Sequence, residues 1–417
     1  MPVKLVLGLQ HGDEGKGRVV DDIAEYWADV VVRFQGGGNA GHTVYDREGK
    51  KYVTHILPVG VVIKQCNNHI MRRNITNVIA RGCVLNIVDL YDEIKSFSEK
   101  EITADDLQIS GFCPLIEPTH ILLDRLKYQG KLGTTARGIG PAYSDFYARD
   151  SILFKDLIDN PKESLFKIQD KFFKFQTDLA QNGSQYPLMS DEHTNLINEN
   201  FKFFNNWTDN FHDKVEYIKQ YIINDENLIV NSYNEGKNIL LEGAQGCGLS
   251  IHSNNYPDVT SSAPTVGGAL NSTGLNHNQI DEVIGVMKAY KTKVGTGDFP
   301  SRCNSEDEDI LAKFGNEFGA TTGRPRKCGW LDFDEVNQAI KMNGVDHLCL
   351  IKSDVFCNIK TPFVYHEKTL NEISKINAVS LEDSAFVDLL KTIKEKTGVN
   401  TVSFTTGPRR GEIVWDV

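Results

Sequence analysis

The 417-residue chain has few of the features that mark secreted, membrane or nucleic-acid-binding proteins. No hydrophobic run approaches the roughly 20 residues that a bilayer-spanning helix needs, which argues against an integral membrane protein. A strand-like stretch begins almost at the first residue, so we expect no secretory signal peptide. The formal net charge of −11 argues against general binding of nucleic acid or membrane surfaces. If the ligands are anions, positive charge must therefore be concentrated at their site.

Close cysteine pairs are also missing, since the eight cysteines are scattered along the chain without metal-type spacing. This distribution predicts reduced thiols and a cytoplasmic protein. The sequence has no internal repeat and no long low-complexity linker. Its length and ordinary composition are typical of one large α/β domain or two smaller ones.

Short apolar segments alternate with helical stretches, which predicts an α/β fold with a large, mainly parallel central sheet and helices on both faces. The candidate strands that follow the first are Val30–Phe34, Asn74–Ile79, Ile239–Leu241, Val283–Met287, His347–Lys352 and Thr401–Phe404. Several of them end in a glycine-rich or charged motif. Because ligands bind at the carboxyl ends of parallel strands, we expect one shared crevice at that edge.

Residues 151–237 differ from the rest, and we interpret them as a helical insertion rather than a separate catalytic domain. The pair Asn160-Pro161 is typical of a helix start, and the helical pattern continues to Gly183. A second helical region runs from about Ser190 to Ile223. The predicted buried face of the first helix consists of Leu165, Phe166, Phe172, Phe173 and Leu179.

The loop Gly12–Gly17, with the sequence GDEGKG, follows the first strand and precedes a helix. Backbone N–H groups and the positive end of a helix dipole suit phosphate oxygens at such a turn, and Lys16 adds a positive charge. Asp13 opposes phosphate binding unless it holds a metal ion or moves a proton. The sequence of this loop therefore predicts a role in a reaction and not only a structural role.

Two further segments carry small and polar residues, and the first of them follows the second predicted strand. Gln35–Thr43 contains three consecutive glycines and His42, which can exchange a proton near neutral pH. A histidine in such a loop is more often structural, but the neighbouring GDEGKG loop favours a catalytic role. Gly133–Pro141 and the later Arg149 suit a phosphate monoester, although alone this segment is typical of a solvated turn.

The second half of the chain contributes three more motifs. Glu242–Gly246 and Val259–Ser262 offer a glutamine for a base edge and hydroxyls for a phosphate. Gly319–Trp330 is rich in arginine and lysine, and arginine binds carboxylate or phosphate in a bidentate manner. Lys352–Asp354 presents a carboxylate that suits the N1–H and 2-amino groups of guanine, and Thr405–Pro408 is predicted to cover the base.

Together these motifs resemble the adenylosuccinate synthetase family. The matching pieces, in family order, are GDEGKG, NAGHT, GTTARGIGPAY, EGAQG, VTSS, GATTGRPRKCGWLD, KSD and TTGP. The resemblance covers nearly the whole chain and is weak across 151–237. It implies a single P-loop-like α/β domain over 1–417. His11, Gly38 and 246–252 depart from the family's usual residues, so the chain resembles a divergent member.

The resemblance implies a two-step reaction in AMP synthesis. GTP phosphorylates the 6-oxygen of IMP, and the amino group of L-aspartate then displaces phosphate to give adenylosuccinate. By analogy Asp13 is the base at N1 of IMP, His42 is the acid at the 6-oxygen, and Lys16 and Gln245 complete the catalytic set. Mg²⁺ would bind Asp13 and the carbonyl of Gly41. The family pattern also implies a homodimer.

The resemblance assigns binding residues by position. The implied GTP residues are Gly12, Asp13, Glu14, Gly15, Lys16, Gly17, Arg18, Arg326, Lys352, Ser353, Asp354, Thr405, Thr406 and Gly407. The implied IMP residues are Asp13, Glu14, Gly15, Lys16, Asn39, Ala40, Gly41, His42, Thr135, Gln245, Thr260, Arg324 and, from a second subunit, Arg149. The implied aspartate residues are Ala320, Thr321, Thr322, Gly323, Arg324, Pro325 and Arg326.

Three alternatives remain. A viral relative joins aspartate to a 2-aminopurine nucleotide such as dGMP, but it typically has a smaller residue in place of the loop aspartate, so Asp13 favours IMP. A nucleotide-binding regulator that has lost catalysis is disfavoured by Asp13, Lys16 and His42. A P-loop GTPase switch is disfavoured because GDEGKG lacks the full G-x-x-x-x-G-K-[ST] pattern.

Overall fold

The structure is a computed structural model that describes residues 2–63, 74–128, 134–182, 193–293, 299–318 and 326–415. These residues form fifteen β-strands and fourteen α-helices. The strands are β1 (Val3–Gly8), β2 (Val30–Arg33), β3 (His42–Tyr45), β4 (Lys51–Thr54), β5 (Thr76–Ile79), β6 (Leu107–Ile109), β7 (Ile239–Glu242), β8 (Glu282–Lys288), β9 (Tyr290–Lys293), β10 (Lys327–Asp332), β11 (His347–Ile351), β12 (Phe363–His366), β13 (Thr369–Glu372), β14 (Asn400–Thr405) and β15 (Ile413–Trp415).

The helices connect these strands and supply the outer layers. They are α1 (Lys16–Tyr26), α2 (Gly60–Ile63), α3 (Ile87–Ser98), α4 (Pro118–Tyr128), α5 (Ile139–Ala148), α6 (Phe154–Asp159), α7 (Pro161–Asn182), α8 (His193–Thr208), α9 (Phe211–Ile218), α10 (Leu228–Asn234), α11 (Val266–Thr273), α12 (Ser305–Gly315), α13 (Phe333–Asn343) and α14 (Ser384–Thr397). Within the described residues, no helix is both long and apolar enough to cross a membrane.

The central sheet has nine strands in the order β15-β14-β11-β8-β1-β7-β2-β5-β6. Seven of its eight neighbouring pairs are parallel, and only the edge pair β14–β15 is antiparallel. The predicted α/β fold with a large, mainly parallel sheet is therefore confirmed. All six candidate strands of the sequence belong to this sheet.

Both faces of the central sheet are buried, which explains its continuous apolar strands. In β1, Val3, Leu5 and Leu7 are part of one hydrophobic cluster, whereas Val6 belongs to another. Since successive side chains of a strand point to opposite faces, these two clusters lie on opposite sides of the sheet. Helix α1 covers one of them with Val19, Val20 and other buried residues.

Two smaller sheets accompany the central one. A four-stranded sheet has the order β13-β12-β10-β9, and β3 and β4 form an antiparallel pair. Only Ala289 separates β8 from β9, so the chain passes directly from the central sheet into the four-stranded sheet. This junction places β9 and β10 beside the carboxyl edge of the central sheet.

Helices α6 to α10 occupy most of 151–237, and α7 begins at Pro161 as the sequence predicts. Phe172 and Leu179 are buried in α7, but Phe166 and Phe173 are 67% and 53% exposed, so their prediction as core residues is wrong. Ile168 and Phe175 are buried instead. The spacing 168, 172, 175, 179 follows one helix face, and residue 173 is turned about 100° away from it. The description of 151–237 as an insertion stays a prediction.

Candidate active site

The loops that follow β1, β2, β7, β11 and β14 converge at the carboxyl edge of the central sheet on a cavity of about 1120 Å³. Most of the predicted site residues line it: Gly12, Asp13, Gly15, Lys16, Gly17, Arg18, Asn39, Ala40, Gly41, His42, Thr135, Gln245, Thr260, Arg326, Lys352, Asp354, Thr405 and Gly407. The lining does not include Glu14, Arg149, Ser353 or Thr406. The predicted aspartate residues Ala320 to Pro325, including Arg324, lie outside the described residues.

The loop after β1 is held in shape by the buried side chain of Glu14. One carboxylate oxygen accepts from the backbone N–H groups of Gln10 and Gly12 at 3.1 and 2.8 Å, and the other lies 2.5 Å from Lys16 Nζ. Gly15, with φ at +82°, turns the chain into α1, a conformation that favours glycine. Glu14 therefore organises the loop from beneath, while Lys16 lines the cavity.

Asp13 has a left-handed backbone conformation, with φ at +59°, and its side chain is 40% exposed. Its Oδ2 lies 2.8 Å from Nε of Arg326, a buried residue immediately before β10. A left-handed conformation costs about 1–3 kcal/mol in a residue other than glycine and is concentrated at functional sites. Gln245 and Lys352 share this feature, with φ at +51° and +59°.

His42 belongs to a buried network with Arg33 and Glu242. Its Nδ1 lies 2.5 Å from Glu242 Oε1, and Arg33 Nη1 lies 3.0 Å from the same oxygen. Arg33 Nη1 is also 3.2 and 3.4 Å from the two ring nitrogens, so the guanidinium packs against the imidazole. Burial and the Arg33 charge lower the pKa of His42 to about 4, although Glu242 opposes this shift.

The neutral imidazole that results has a defined tautomer. The Nδ1–H group of His42 donates a hydrogen bond to the carboxylate of Glu242, which leaves Nε2 as the nitrogen for a ligand. Glu242 is fixed in turn, because its Oε2 accepts from the backbone N–H of Val59 at 2.9 Å.

A group of polar side chains surrounds the cavity beside His42. Gln245 Oε1 accepts from Ser262 Oγ at 3.0 Å, and Gln245 Nε2 donates to Asn39 Oδ1 at 3.4 Å. Thr260 lies on the same side, with its Oγ1 3.2 Å from Ser262 Oγ. These contacts bring together residues from three separate motifs, which offer both donors and acceptors to a ligand.

The opposite end of the cavity is formed by the loops after β11 and β14. The Lys352 backbone N–H donates to Thr405 Oγ1 at 3.1 Å, which joins the KSD and TTGP motifs. Asp354 lines the cavity, and burial raises its pKa above the ordinary value. Ser353 is fully buried and Thr406 is exposed, so neither side chain faces the cavity.

The comparisons with known proteins agree with this geometry. The family model described as adenylosuccinate synthetase matches residues 5–374. The chain belongs to the adenylosuccinate synthetase family. Adenylosuccinate synthetase of Halothermothrix orenii is 38% identical over 378 residues, which cover 88% of this chain and 82% of that protein. The enzyme of a Marinomonas species is 35% identical over 446 aligned positions, covering 98% and 97% of the two chains.

Solved structures show the same relationship. The fully ligated adenylosuccinate synthetase from Plasmodium falciparum superposes with a TM-score of 0.84 at 28% identity, covering 100% of both chains. The succinoaminodeoxyadenylate synthetase of cyanophage S-2L has a TM-score of 0.65 at 18% identity, covering 100% of this chain and 95% of that one, which shows the shared fold alone.

As a member of the adenylosuccinate synthetase family, the protein is a GTP-dependent ligase that joins L-aspartate to IMP and gives adenylosuccinate, a step of AMP synthesis. It binds IMP, GTP and aspartate. The alternative of a GTPase switch is thereby excluded.

Arg149 is a predicted IMP residue that does not line the cavity of its own chain. It caps the C-terminus of α5 with φ at +67° and is exposed. Phe146 and Tyr147, on the last turn of the same helix, are 37% and 74% exposed. The contribution of Arg149 to the IMP site of a second subunit therefore stays a prediction.

Three charged residues that hold the predicted site residues in place were not among the site residues predicted from the sequence. Arg33 and Glu242 lie in the otherwise apolar strands β2 and β7, and a charge in a buried strand requires a partner, so a signal was available. Glu317 follows α12 and is also fully buried, but its surroundings in the sequence are ordinary. Its partners come from β8, β9, the residue before β10 and the loop after β11, so only the folded chain reveals it.

Proposed function

We propose that Asp13 is the base of the reaction and that His42 is the acid at the 6-oxygen. One observation supports this proposal above the others. The cavity lined by Asp13, Lys16, His42 and Gln245 is also lined by Lys352. Removal of the N1 proton of IMP by Asp13 raises the electron density on the 6-oxygen. That oxygen then forms a bond to the γ-phosphorus of GTP, and GDP leaves.

Phosphorylation converts the 6-oxygen into a good leaving group. The amino group of L-aspartate attacks C6 and loses a proton, and phosphate leaves with the former 6-oxygen. Asp13 then passes to solvent the proton that it took from N1, because N1 of adenylosuccinate carries no proton. Lys16 and Gln245 stabilise the charge that develops on the transferred group and on the purine oxygen.

His42 is proposed to gain its acidic role from the substrates. Burial keeps its imidazole neutral in the protein itself. An anionic phosphoryl group beside Nε2 favours the protonated ring, and Glu242 stabilises the same charge from Nδ1. His42 can then donate a hydrogen bond or proton at the 6-oxygen.

Mg²⁺ is proposed to bind Asp13 and the Gly41 carbonyl. Both residues line the cavity and offer hard oxygen donors, the type that Mg²⁺ prefers. When bound, Mg²⁺ neutralises phosphate charge during phosphoryl transfer. Asp13 Oδ2 already contacts Arg326, which leaves Oδ1 for the ion.

The three substrates are proposed to divide the cavity. The Gly12–Arg18 backbone would hold the GTP phosphates, and Lys352–Asp354 with Thr405–Gly407 would hold guanine. The residues proposed for IMP are Asn39, Ala40, Gly41, His42, Thr135, Gln245, Thr260 and Arg324. The residues proposed for aspartate are Ala320, Thr321, Thr322, Gly323, Arg324, Pro325 and Arg326. In a homodimer, Arg149 of one subunit would reach IMP in the other.

The purified protein with IMP, GTP, Mg²⁺ and L-aspartate should form adenylosuccinate. Asp13→Asn keeps the shape of the side chain but removes the base, so turnover should fall at least about 100-fold while the unfolding midpoint is unchanged. Near-normal turnover of this variant would refute the proposed base. Product from dGMP without product from IMP would overturn the substrate assignment.

A further inference from the structure

Glu317 is a fully buried carboxylate that contacts two residues lining the cavity, Lys352 and Arg326. It follows α12 and precedes the arginine-rich segment. Three cationic side chains and one hydroxyl surround it. The contacts to its side chain are Lys352 Nζ at 2.7 Å, Lys288 Nζ at 3.3 Å, Tyr290 Oη at 2.5 Å and Arg326 Nη1 at 2.7 Å.

The two oxygens of Glu317 serve different sides of the site. Oε1 accepts from Lys352, Tyr290 and Lys288, whereas Oε2 accepts from Arg326. The Arg326 backbone N–H also donates to the Glu317 carbonyl at 3.0 Å, so this arginine is held at both its main chain and its side chain. Arg326 Nε continues the connection to Asp13 Oδ2 at 2.8 Å.

The charges of this cluster depend on one another. Burial alone would raise the pKa of Glu317, but the positive charges of Lys288, Lys352 and Arg326 outweigh it and lower the pKa below its ordinary range. Lys288 is equally buried and relies on Glu317 as its counter-charge. Since its hydrogen bonds are made inside the protein, the Glu317 carboxylate holds Lys352 and Arg326 at defined positions.

We propose that Glu317 is a positioning residue that ties the guanine contact of Lys352 to the placement of Arg326 and Asp13. This inference rests on the proposed roles of Lys352, Arg326 and Asp13. One carboxylate sets the distance between the residue that meets guanine and the residue that meets aspartate and the catalytic base. Correct binding of GTP and correct binding of aspartate therefore both depend on the position of the Glu317 carboxylate.

The first test is Glu317→Gln, which keeps the shape of the side chain but removes its charge. Because the amide keeps one neutral accepting oxygen and presents a donor in place of the other, the contact is weakened on one side and lost on the other, and kcat/KM should fall about 10- to 100-fold for both GTP and aspartate. The affinity for IMP, titrated without GTP, should change less than about twofold, because the described contacts of the Glu317 side chain include none of the residues proposed for IMP. Unchanged kcat/KM for GTP and aspartate would overturn the inference, and so would an equal loss of IMP affinity.

Lys288→Met is the matched control for the buried charge. Lys288 contacts Glu317 but does not line the cavity, so this variant should keep kcat/KM for both substrates within about twofold of the wild type. Glu317→Gln leaves Lys288 without its counter-charge. The Glu317→Gln substitution is therefore also made in a Lys288→Met background, where no buried lysine charge is left unpaired. The double variant should show the same losses for GTP and aspartate. A double variant with wild-type kinetics would show that Glu317 serves only to balance Lys288 and would overturn the inference.

A double-mutant cycle measured on GDP affinity tests whether Glu317 acts through Lys352 or whether its substitution disturbs the protein in general. In the wild-type background, Glu317→Gln should weaken GDP binding about 10-fold, whereas in a Lys352→Met background it should weaken it less than about twofold. Equal losses in both backgrounds would overturn the inference. If Lys352→Met itself leaves GDP affinity unchanged, the proposed guanine role of Lys352 fails. If Lys352→Met weakens GDP binding but Glu317→Gln does not, only the role of Glu317 fails.

Discussion

Gly17→Ala tests how closely α1 and His42 are packed. Gly17 is the second residue of α1, and a Cβ built on it would lie 2.9 Å from His42 Cβ and 3.3 Å from His42 Cα. Favourable carbon contacts begin at about 3.5 Å, so the helix and the histidine must separate by about 0.6 Å or more. His42 would then move relative to Glu242 and to the cavity.

A displacement of this size should affect catalysis far more than folding. A misplacement of about 1 Å costs roughly 100-fold in rate, so kcat should fall about 30- to 100-fold. Exchange of glycine for alanine in a helix stabilises by about 0.5–1 kcal/mol, which offsets part of the strain. The midpoint of thermal unfolding should therefore change by only a few degrees.

Gly267→Ala is the matched control, since its added Cβ would lie in α11 with Thr265 Oγ1 at 3.7 Å as its nearest neighbour. This variant should keep the wild-type kcat and unfold at the same or a slightly higher temperature. Steady-state kinetics with saturating IMP, GTP and aspartate measure kcat for both variants. A Gly17→Ala enzyme with the kcat of Gly267→Ala would refute the placement of His42 in the reaction.

Three further predictions concern other parts of the molecule. Glu242→Gln leaves Arg33 buried without its carboxylate, so chemical denaturation should show a loss of about 3–5 kcal/mol, and an unchanged free energy would contradict the buried pair. Burial raises the pKa of Cys247 and Cys349 to about 12. Near pH 8 only about one thiol in 10,000 is then ionised, so mass spectrometry should find both unlabelled by an alkylating reagent until the protein unfolds, and rapid native labelling would contradict their burial. Arg149→Leu should raise the KM for IMP about 10-fold or more with little effect on the KM for GTP. A fully active monomer in sedimentation would contradict the shared site.

The central sheet was predictable because its strands are short apolar runs that end in glycine-rich or charged motifs. The four-stranded sheet was not, since all four residues of β13 are exposed and the strand pairs only with the adjacent β12, so no apolar pattern marks it. Phe166 and Phe173 were placed wrongly because the α7 region is rich in apolar residues, and composition alone does not identify the buried face.

The candidate site shows the same division. Residues that face ligands belong to compact motifs, and most of them line the cavity as predicted. The residues that hold them are dispersed: Glu242 and Arg33 are 209 positions apart, and Glu317 gathers partners from four segments. The left-handed conformations of Asp13 and Gln245 are also imposed by the fold, because only a few per cent of residues other than glycine adopt them.

The central claim is that the γ-phosphoryl group passes to the 6-oxygen of IMP in the cavity formed by Asp13, His42 and Gln245. The most direct test uses IMP labelled with ¹⁸O at the 6-position, together with GTP, Mg²⁺ and L-aspartate. Mass spectrometry of the released inorganic phosphate should find one ¹⁸O atom for each adenylosuccinate formed. Release of unlabelled phosphate alongside adenylosuccinate would contradict the account.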